Sequence, residues 1–257
     1  MLIDLHVHSR HTPGCTLSPL DAVRRAREFG LDGLVLTDMN TLDGLAEIRE
    51  AARTEGFLAL CGVEIATDRG HYLAYFPDPE KVPALPQIFG TPPWPVQEVI
   101  LKVTSMGGAV VAAHPYDRSI DRPGGDVVFT LDGLSAVDGH DARRKPSVND
   151  LAVEAADHMG LPCVGGSGAR EALGEIGKAA TLFRDVVRTE ADLVAQLRSG
   201  TVFGVAIGVT PGPPEDRAVR GPGERRGGDR GGRRDGGRGG REGARGRGDS
   251  RGPRRDR

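Results

Sequence analysis

The first strand of this sequence carries histidines at a spacing that could do chemistry. His6 and His8 lie two residues apart at the end of an apolar run, and His11 follows three residues later. Side chains at positions i and i+2 of a strand point to the same face, so the rings of His6 and His8 should converge. Two neutral imidazoles in one space are suited to zinc, iron or manganese. The spacing favours a metal site, and hydrogen-bonded strand-end histidines are the alternative.

Further metal-binding side chains border other apolar runs. Glu64 ends one such run, where a carboxylate needs a partner, and both a bridging metal and a structural salt bridge would supply one. His114 follows a run of five apolar residues, and His71 opens a strand after a tight turn. We expect Glu64, His71 and His114 to join His6 and His8 as metal ligands.

Three more residues are candidates for other roles at the same site. Asp38 follows the second predicted strand, and we expect it to act in catalysis or to orient a ligand imidazole as an outer carboxylate. His11 and His140 are expected in loops, where they could contact a phosphate or substrate.

The elements that must position these groups alternate along the chain. Short apolar runs alternate with stretches of helical period, which predicts an α/β fold with a mostly parallel sheet. Ser18 as N-cap, Pro19 at the first position and Gly30 as terminator delimit the first helix. About seven strands favour a distorted TIM-like (β/α)7 barrel, whose strand ends would gather the candidate ligands on one face. Residues 57–65 and 134–137 are predicted as strands, and 77–95 as a loop.

Composition divides the chain near residue 210. From Pro211 onward there are 15 arginines, 15 glycines, eight acidic residues and no aromatic residue. Such a segment cannot bury enough apolar surface to offset the entropy of ordering. We therefore predict one domain over residues 1–209 and a disordered Arg/Gly-rich tail over residues 210–257. The tail resembles RGG segments that bind nucleic acid weakly through charge and stacking, and a solubilising role is the alternative.

Other sequence features limit the possible cellular compartment and the possible class of ligand. The three cysteines form no CxxC pair, and no apolar stretch approaches the length of a membrane span or a signal peptide core. We therefore expect a cytoplasmic protein that has no membrane partner. The glycine fingerprint of a dinucleotide site does not follow the first strand.

Six short motifs follow one another over residues 1 to about 185. They are Asp4-Leu5-His6-Val7-His8-Ser9, Leu36-Thr37-Asp38, Gly62-Val63-Glu64-Ile65, Gly70-His71-Tyr72-Leu73, Ala113-His114-Pro115 and Gly165-Gly166-Ser167. In this order they resemble the motifs of the PHP (polymerase and histidinol phosphatase) family. The resemblance implies a distorted seven-stranded β/α barrel, a cluster of up to three zinc, manganese or iron ions, and phosphoester hydrolysis. The short family members most similar to this chain act on nucleotides or phosphorylated metabolites.

Three positions depart from the family pattern. Met39 and Arg170 stand where the family has histidines, and Gly168 stands where it has an aspartate. A thioether is a soft, weak ligand, a glycine offers no side chain, and a guanidinium stays protonated. The resemblance then implies that the metal held by the two missing histidines is absent and that the metal sharing the missing aspartate is weakened. We therefore expect fewer than three divalent ions.

Arg170 suggests a compensation, because its charge could occupy part of the space of a missing cation and bind a phosphate bidentately. The resemblance also makes Asp138, His140 and Asp141 candidates for substrate contact.

Three functions remain open. The chain is a phosphoesterase with a reduced metal site that acts on a nucleotide or a small phosphorylated metabolite, or a catalytically silent member that binds a phosphorylated ligand or partner. The third possibility is a scaffold for a tail that binds nucleic acid.

Overall fold

The computed structural model describes residues 1–171 and 173–208, so the predicted disordered tail lies outside the described residues and the domain boundary stays a prediction. The described residues form ten strands and six α-helices. The strands are β1 (Leu2–Val7), β2 (Gly33–Leu36), β3 (Leu58–Cys61), β4 (Val63–Thr67), β5 (Gly70–Tyr75), β6 (Ala109–Ala113), β7 (Ala136–Asp141), β8 (Cys163–Gly166), β9 (Ala179–Phe183) and β10 (Val202–Ala206). The helices are α1 (Pro19–Phe29), α2 (Leu45–Glu55), α3 (Leu85–Phe89), α4 (Val96–Ser105), α5 (Pro146–Met159) and α6 (Glu190–Ser199).

The strands form two open, mixed sheets of five strands each. One sheet has the order β10-β9-β1-β2-β3 and the other β4-β5-β6-β7-β8. The pairs within β1-β2-β3 and β6-β7-β8 are parallel, whereas β9 and β5 run antiparallel to both of their neighbours. The α/β class is confirmed. The expectation of a mostly parallel sheet is wrong, and among the described residues neither sheet closes into a barrel.

Short bridges join the edges of the two sheets beside the predicted site. Met39 pairs with Glu64, and Val7 pairs with Ala169, in isolated parallel bridges. The phenolic hydroxyl of Tyr75, on β5, donates to the carbonyl of Leu5, on β1, across the space between the sheets at 2.9 Å. These links hold the strand ends of one sheet against those of the other.

Glycine at position 62 explains why the predicted strand 57–65 is two strands. A Cβ on Gly62 would lie 2.7 Å from Tyr75 Cδ1 and 2.9 Å from the carbonyl oxygen of Ala74. Only glycine fits this approach, and here the chain leaves β2 and joins β5 instead. The single apolar run in the sequence conceals this change of partner.

Other differences from the expectations follow from tertiary pairing. Strand β7 extends to Asp141 instead of ending at 137, so His140 lies in a strand and not in a loop. Strand β9, which the sequence did not predict, pairs with β1 and β10. The predicted loop 77–95 contains the short helix α3. The first helix is confirmed, with the Ser18 hydroxyl accepting from the amide of Asp21 and Gly30 at the C-cap.

Apolar side chains fill three layers around the sheets. The layer between the two sheets includes Ile3 and Leu5 from one sheet and Leu73 and Val111 from the other. The outer faces are covered by helices, with α1 and α2 against one sheet and α4 and α5 against the other. No helix of the described chain is long and apolar enough to cross a bilayer.

The close approach of β8 to β1 generates a prediction. A Cβ on Gly166 would lie 2.7 Å from the backbone nitrogen of His6, which is closer than real contacts allow. Gly166→Ala should lower the free energy of unfolding by about 1–3 kcal/mol because β8 must move away from β1. Denaturant unfolding measures this change. Gly174→Ala is the control, since no atom lies within 4 Å of its added carbon, and equal stability of the two variants would contradict the prediction.

Candidate metal centre

Glu64 lies at the centre of the predicted site, and the four other expected ligands meet around it. Its side chain is fully buried at the start of β4. Its Oε2 lies 3.0 Å from His8 Nε2 and 3.5 Å from His6 Nε2. Its Oε1 lies 2.9 Å from His71 Nδ1 and 3.1 Å from His114 Nε2. The two oxygens therefore face two different pairs of imidazoles, which is the arrangement of a carboxylate that bridges two cations.

The donor atoms fit a transition metal. The ring nitrogens His6 Nε2 and His8 Nε2 face each other at 3.1 Å beside a carboxylate oxygen, so two imidazoles and a negative charge meet in one buried space. Imidazole nitrogen and carboxylate oxygen in such a group suit zinc, manganese or iron. Among the described residues, three groups have donor atoms that all lie within 4.8 Å of one another: His6, His8 and Glu64; Glu64, His71 and His114; and His6, His114 and Asp141.

A hydrogen-bond chain from Asp38 fixes the orientation of His8. The Thr12 hydroxyl lies 2.7 Å from Asp38 Oδ1 and 3.1 Å from His8 Nδ1. A carboxylate can only accept, so the hydroxyl donates to Asp38 and accepts from the Nδ1–H of His8. His8 Nε2 then keeps its lone pair for the cluster. Burial lowers the pKa of His8 to about 4 despite the adjacent Glu64 carboxylate, so its ring is neutral.

Asp138 lies beside Nδ1 of His6, as Thr12 lies beside Nδ1 of His8. Its Oδ2 lies 3.5 Å from His6 Nδ1, while the opposite nitrogen of that ring faces Glu64. Burial opposes protonation of His6, but Glu64 and then Asp138 outweigh it and raise the pKa of His6 to about 10. Burial also opposes ionisation of Glu64, yet His6 and the other imidazoles hold the pKa of Glu64 well below its usual range. A proton on His6 then supplies part of the positive charge around Glu64.

The backbone at the site is held in uncommon conformations. Asn40 has a φ of +57°, its side-chain oxygen accepts from the amide of Ala66, and its own amide donates to the carbonyl of Glu64. This clamp fixes the strand that carries Glu64. His114 has a φ of +29°, which is rare for a residue other than glycine and is typical of functional sites.

Arg170 reaches into the same cluster. Its Nη2 lies 3.3 Å from Glu64 Oε2 and 3.4 Å from His8 Nε2. Its side chain is 27% exposed, so the guanidinium touches both the buried cluster and solvent. The structure therefore places this cation against the oxygen that His6 and His8 also face.

The other sequence candidates lie apart from this cluster. His11 Nε2 pairs with Glu47 Oε1 on α2 at 3.1 Å instead of facing Glu64. The His140 ring packs beside Gly204 of β10. Asp38 is buried, and the hydroxyl of Thr12 links its carboxylate to His8. The roles predicted for these three residues stay predictions.

Sequence reasoning missed Thr12 and Asn40 and gave Asp141 only a weak role. The signal for Thr12 was its position four residues after His8, where a hydroxyl can return to the ring. Asn40 follows the departure at Met39, and its amide side chain has the preference for positive φ that its position needs. Nothing in the sequence indicated that Asp141 belongs to a strand that ends beside His6.

The orienting role of Thr12 is open to test. Thr12→Val keeps the shape of the side chain and removes the acceptor for His8 Nδ1–H, so the ring can turn or change tautomer. We expect a loss of about 10–100-fold in Zn²⁺ affinity, measured by calorimetry on metal-stripped protein. Thr16→Val, a change of the same type in an exposed residue of the same loop, serves as the control. Equal affinity of the Thr12→Val variant and the unaltered protein would rule out this role.

Three curated proteins are similar to parts of this chain. An uncharacterized protein of Methanocaldococcus jannaschii is 29% identical over 164 residues, which cover 60% of this chain and 90% of that protein. A 5'-3' exoribonuclease of Haemophilus influenzae is 42% identical over 65 residues, covering 25% of this chain and 23% of the enzyme. A 3',5'-nucleoside bisphosphate phosphatase of Chromobacterium violaceum is 38% identical over 73 residues, covering 28% of this chain and 25% of the enzyme. The chain thus spans about a quarter of each of these two enzymes.

Two solved structures share the fold. A candidate metal-dependent phosphoesterase from Bifidobacterium adolescentis superposes with a TM-score of 0.56 at 21% identity, covering 77% of this chain and 96% of the other. An amidohydrolase from Chromobacterium violaceum, solved with bound sulfate and no metal, gives a TM-score of 0.54 at 20% identity, covering 68% and 89%. At these identities the likeness concerns the fold.

Family models account for most of the described chain. The model of the PHP domain matches residues 4–166, and a model described as PHP-associated matches residues 146–202. The first match covers more than half of the sequence and includes Glu64 and the four histidines around it. This chain belongs to the PHP family.

Proposed function

We infer that this protein is a metal-dependent phosphoesterase with a reduced metal site, and that it hydrolyses a phosphate ester of a nucleotide or a small metabolite. The observation that carries the proposal is the position of Glu64, whose two oxygens face separate pairs of imidazoles at 2.9–3.5 Å. A divalent ion bound there would polarise a phosphoryl oxygen and lower the pKa of a bound water. Zinc, manganese and iron all suit this donor set.

Other residues of this chain would orient the ligands and bind the phosphate group. His6 and His8 are oriented from behind by Asp138 and Thr12, which fixes the nitrogens that face the cluster. Arg170 offers a guanidinium that is partly open to solvent, and it can bind two oxygens of a phosphate in one plane. His71 is the most exposed of the five expected ligands and lies nearest the entrance.

The departures from the family pattern support a site with fewer than three ions. Met39 stands where one family histidine would be, and its backbone pairs with Glu64 in an isolated bridge. Arg170 replaces the other histidine and directs its fixed positive charge to Glu64 Oε2. Two like charges in that space repel, so a metal beside His6 and His8 must displace the guanidinium or bind more weakly.

A second function is favoured by the same contact. If Arg170 neutralises Glu64 permanently, the protein binds a phosphorylated ligand or partner without turning it over, and its Arg/Gly-rich tail could contact nucleic acid. Elemental analysis of the purified protein separates the two functions, because a catalyst should carry transition metal and the silent form should carry none. Binding to nucleic acid through the tail should fall steeply with added salt.

The catalytic proposal predicts the effect of removing the bridge. Glu64→Gln keeps the shape of the side chain and removes the charge shared by both sets of imidazoles. Turnover of p-nitrophenyl phosphate with added Mn²⁺ should fall by at least about 100-fold, since even outer partners of metal ligands contribute 10–100-fold. Glu190→Gln, at another buried glutamate that pairs with Arg49, is the control. Unaltered protein that binds no metal and turns over no ester would refute the proposal.

The role of Arg170 is tested with inorganic phosphate. Arg170→Ala should weaken phosphate binding by at least about tenfold, because hydrogen bonds to a charged group contribute about 1.5–3 kcal/mol. The phosphate affinity of Arg170→Lys should lie between those of Arg170→Ala and the unaltered protein, since an ammonium keeps the charge and loses the planar fork. Calorimetry measures the affinities, with Arg24→Ala on the surface of α1 as the control. Equal phosphate affinity in Arg170→Ala would remove Arg170 from the binding site.

A further inference from the structure

Asp141 ends strand β7 as a fully buried carboxylate. Its Oδ1 accepts from the amide of Arg143 at 2.8 Å, and its Oδ2 lies 3.2 Å from Arg144 Nε. That contact lacks hydrogen-bond geometry, and Asp141 Oδ2 has no hydrogen-bond partner within the described chain. Arg144 supplies charge but no hydrogen bond to this buried oxygen, which therefore keeps its capacity to coordinate a metal ion.

The surroundings of Asp141 indicate which cation. Asp141 forms one of the three groups of potential ligands, together with His6 and His114, and its members' donor atoms lie within 4.8 Å of one another. His114 Nδ1 is also buried without a hydrogen-bond partner in this part of the chain. A donor atom of Asp141 therefore lies near donor atoms of two expected ligands, and imidazole and carboxylate groups are the types that bind transition metals.

Gly168 explains why this carboxylate has room. Its φ is +61°, and a Cβ built on it would lie 2.9 Å from Asp141 Oδ1 and 3.3 Å from Asp141 Cγ. A side chain at position 168 and the carboxylate of Asp141 therefore compete for the same space. Position 168 is the one at which the family pattern has an aspartate and this chain has a glycine.

We propose that Asp141 is a metal ligand of this protein and supplies, from the end of β7, the carboxylate that Gly168 lacks. The inference rests on the proposed metal site and deepens it. The site then keeps one more metal ligand than the sequence suggests, because a carboxylate reaches the cluster from the neighbouring strand. A side chain at position 168 would require the Asp141 carboxylate to move.

Mn²⁺ titration of the metal-stripped full chain by calorimetry tests this role without reference to activity. Asp141→Asn keeps the shape and the acceptor for the Arg143 amide but removes the charge, and it should lower Mn²⁺ affinity by at least about tenfold or remove one equivalent. The matched control is Asp117→Asn, which removes another buried carboxylate that pairs with Arg144 at 2.9 Å but belongs to none of the three groups. Its affinity should stay within about threefold of the unaltered protein.

A second pair of variants tests the shared space. Asp141→Ala should lose Mn²⁺ affinity, and Asp141→Ala combined with Gly168→Asp should recover it, because the new carboxylate enters the vacated space and aspartate tolerates positive φ. Thermal melts of the metal-free variants establish that each is folded. A folded double variant that binds Mn²⁺ no more tightly than Asp141→Ala would overturn the inference that a carboxylate at either position can serve as the ligand.

The outcomes separate this inference from the proposed function. Metal binding by the unaltered protein together with equal binding by Asp141→Asn overturns the role of Asp141 and leaves the phosphoesterase proposal standing. Absence of Mn²⁺ and Zn²⁺ binding by the unaltered protein overturns both. Selective loss in Asp141→Asn, with Asp117→Asn unaffected, supports Asp141 as the relocated ligand.

Discussion

A fully buried carboxylate must be surrounded by cations or donors, and in this protein that constraint falls on Glu64. Taking a charge out of water costs several kcal/mol unless partners replace its hydration. Glu64 finds those partners on β1, β5 and β6 and on the loop that carries Arg170, so strand ends from both sheets must meet at one point. The bridge between Met39 and Glu64 and the clamp by Asn40 hold the carboxylate at that meeting point.

The cluster can balance the charge of Glu64 in two ways. Without a metal, a proton on His6 and the guanidinium of Arg170 supply positive charge, as the raised pKa of His6 indicates. Under the proposed function, a metal requires the imidazoles to give up that proton and Arg170 to turn toward solvent or toward a phosphate. The two arrangements use the same atoms, so the proposal couples metal affinity to phosphate recognition at Arg170.

The sequence predicted which side chains come together better than it predicted which contacts hold them in place. Spacing in β1 and the polar residues that border apolar runs identified Glu64 and the four histidines, because short-range strand geometry dictates where such side chains point. The hydroxyl of Thr12 and the amide of Asn40 act through contacts that only the folded loops create. The role of Asp141 depends on a space shared with position 168, 27 residues away, and no local pattern encodes that.

The strand pattern failed for a related reason. Gly62 lets one apolar run change sheets, and β9 pairs only because β1 and β10 lie on either side of it. Propensity and period describe a segment by itself, whereas the partner of a strand is decided by tertiary packing. The α/β class follows from local alternation and was predicted, while open mixed sheets in place of a closed barrel follow from pairing and were not.

Anomalous diffraction from crystals of the Zn²⁺-loaded protein tests most directly whether the Glu64 carboxylate is a bridge for metal ions. The account predicts one or two zinc peaks, each about 2.0–2.2 Å from a Glu64 oxygen, with the Arg170 guanidinium displaced from Oε2. A Glu64 side chain without zinc at bonding distance, still in contact with Arg170 at saturating Zn²⁺, would contradict it.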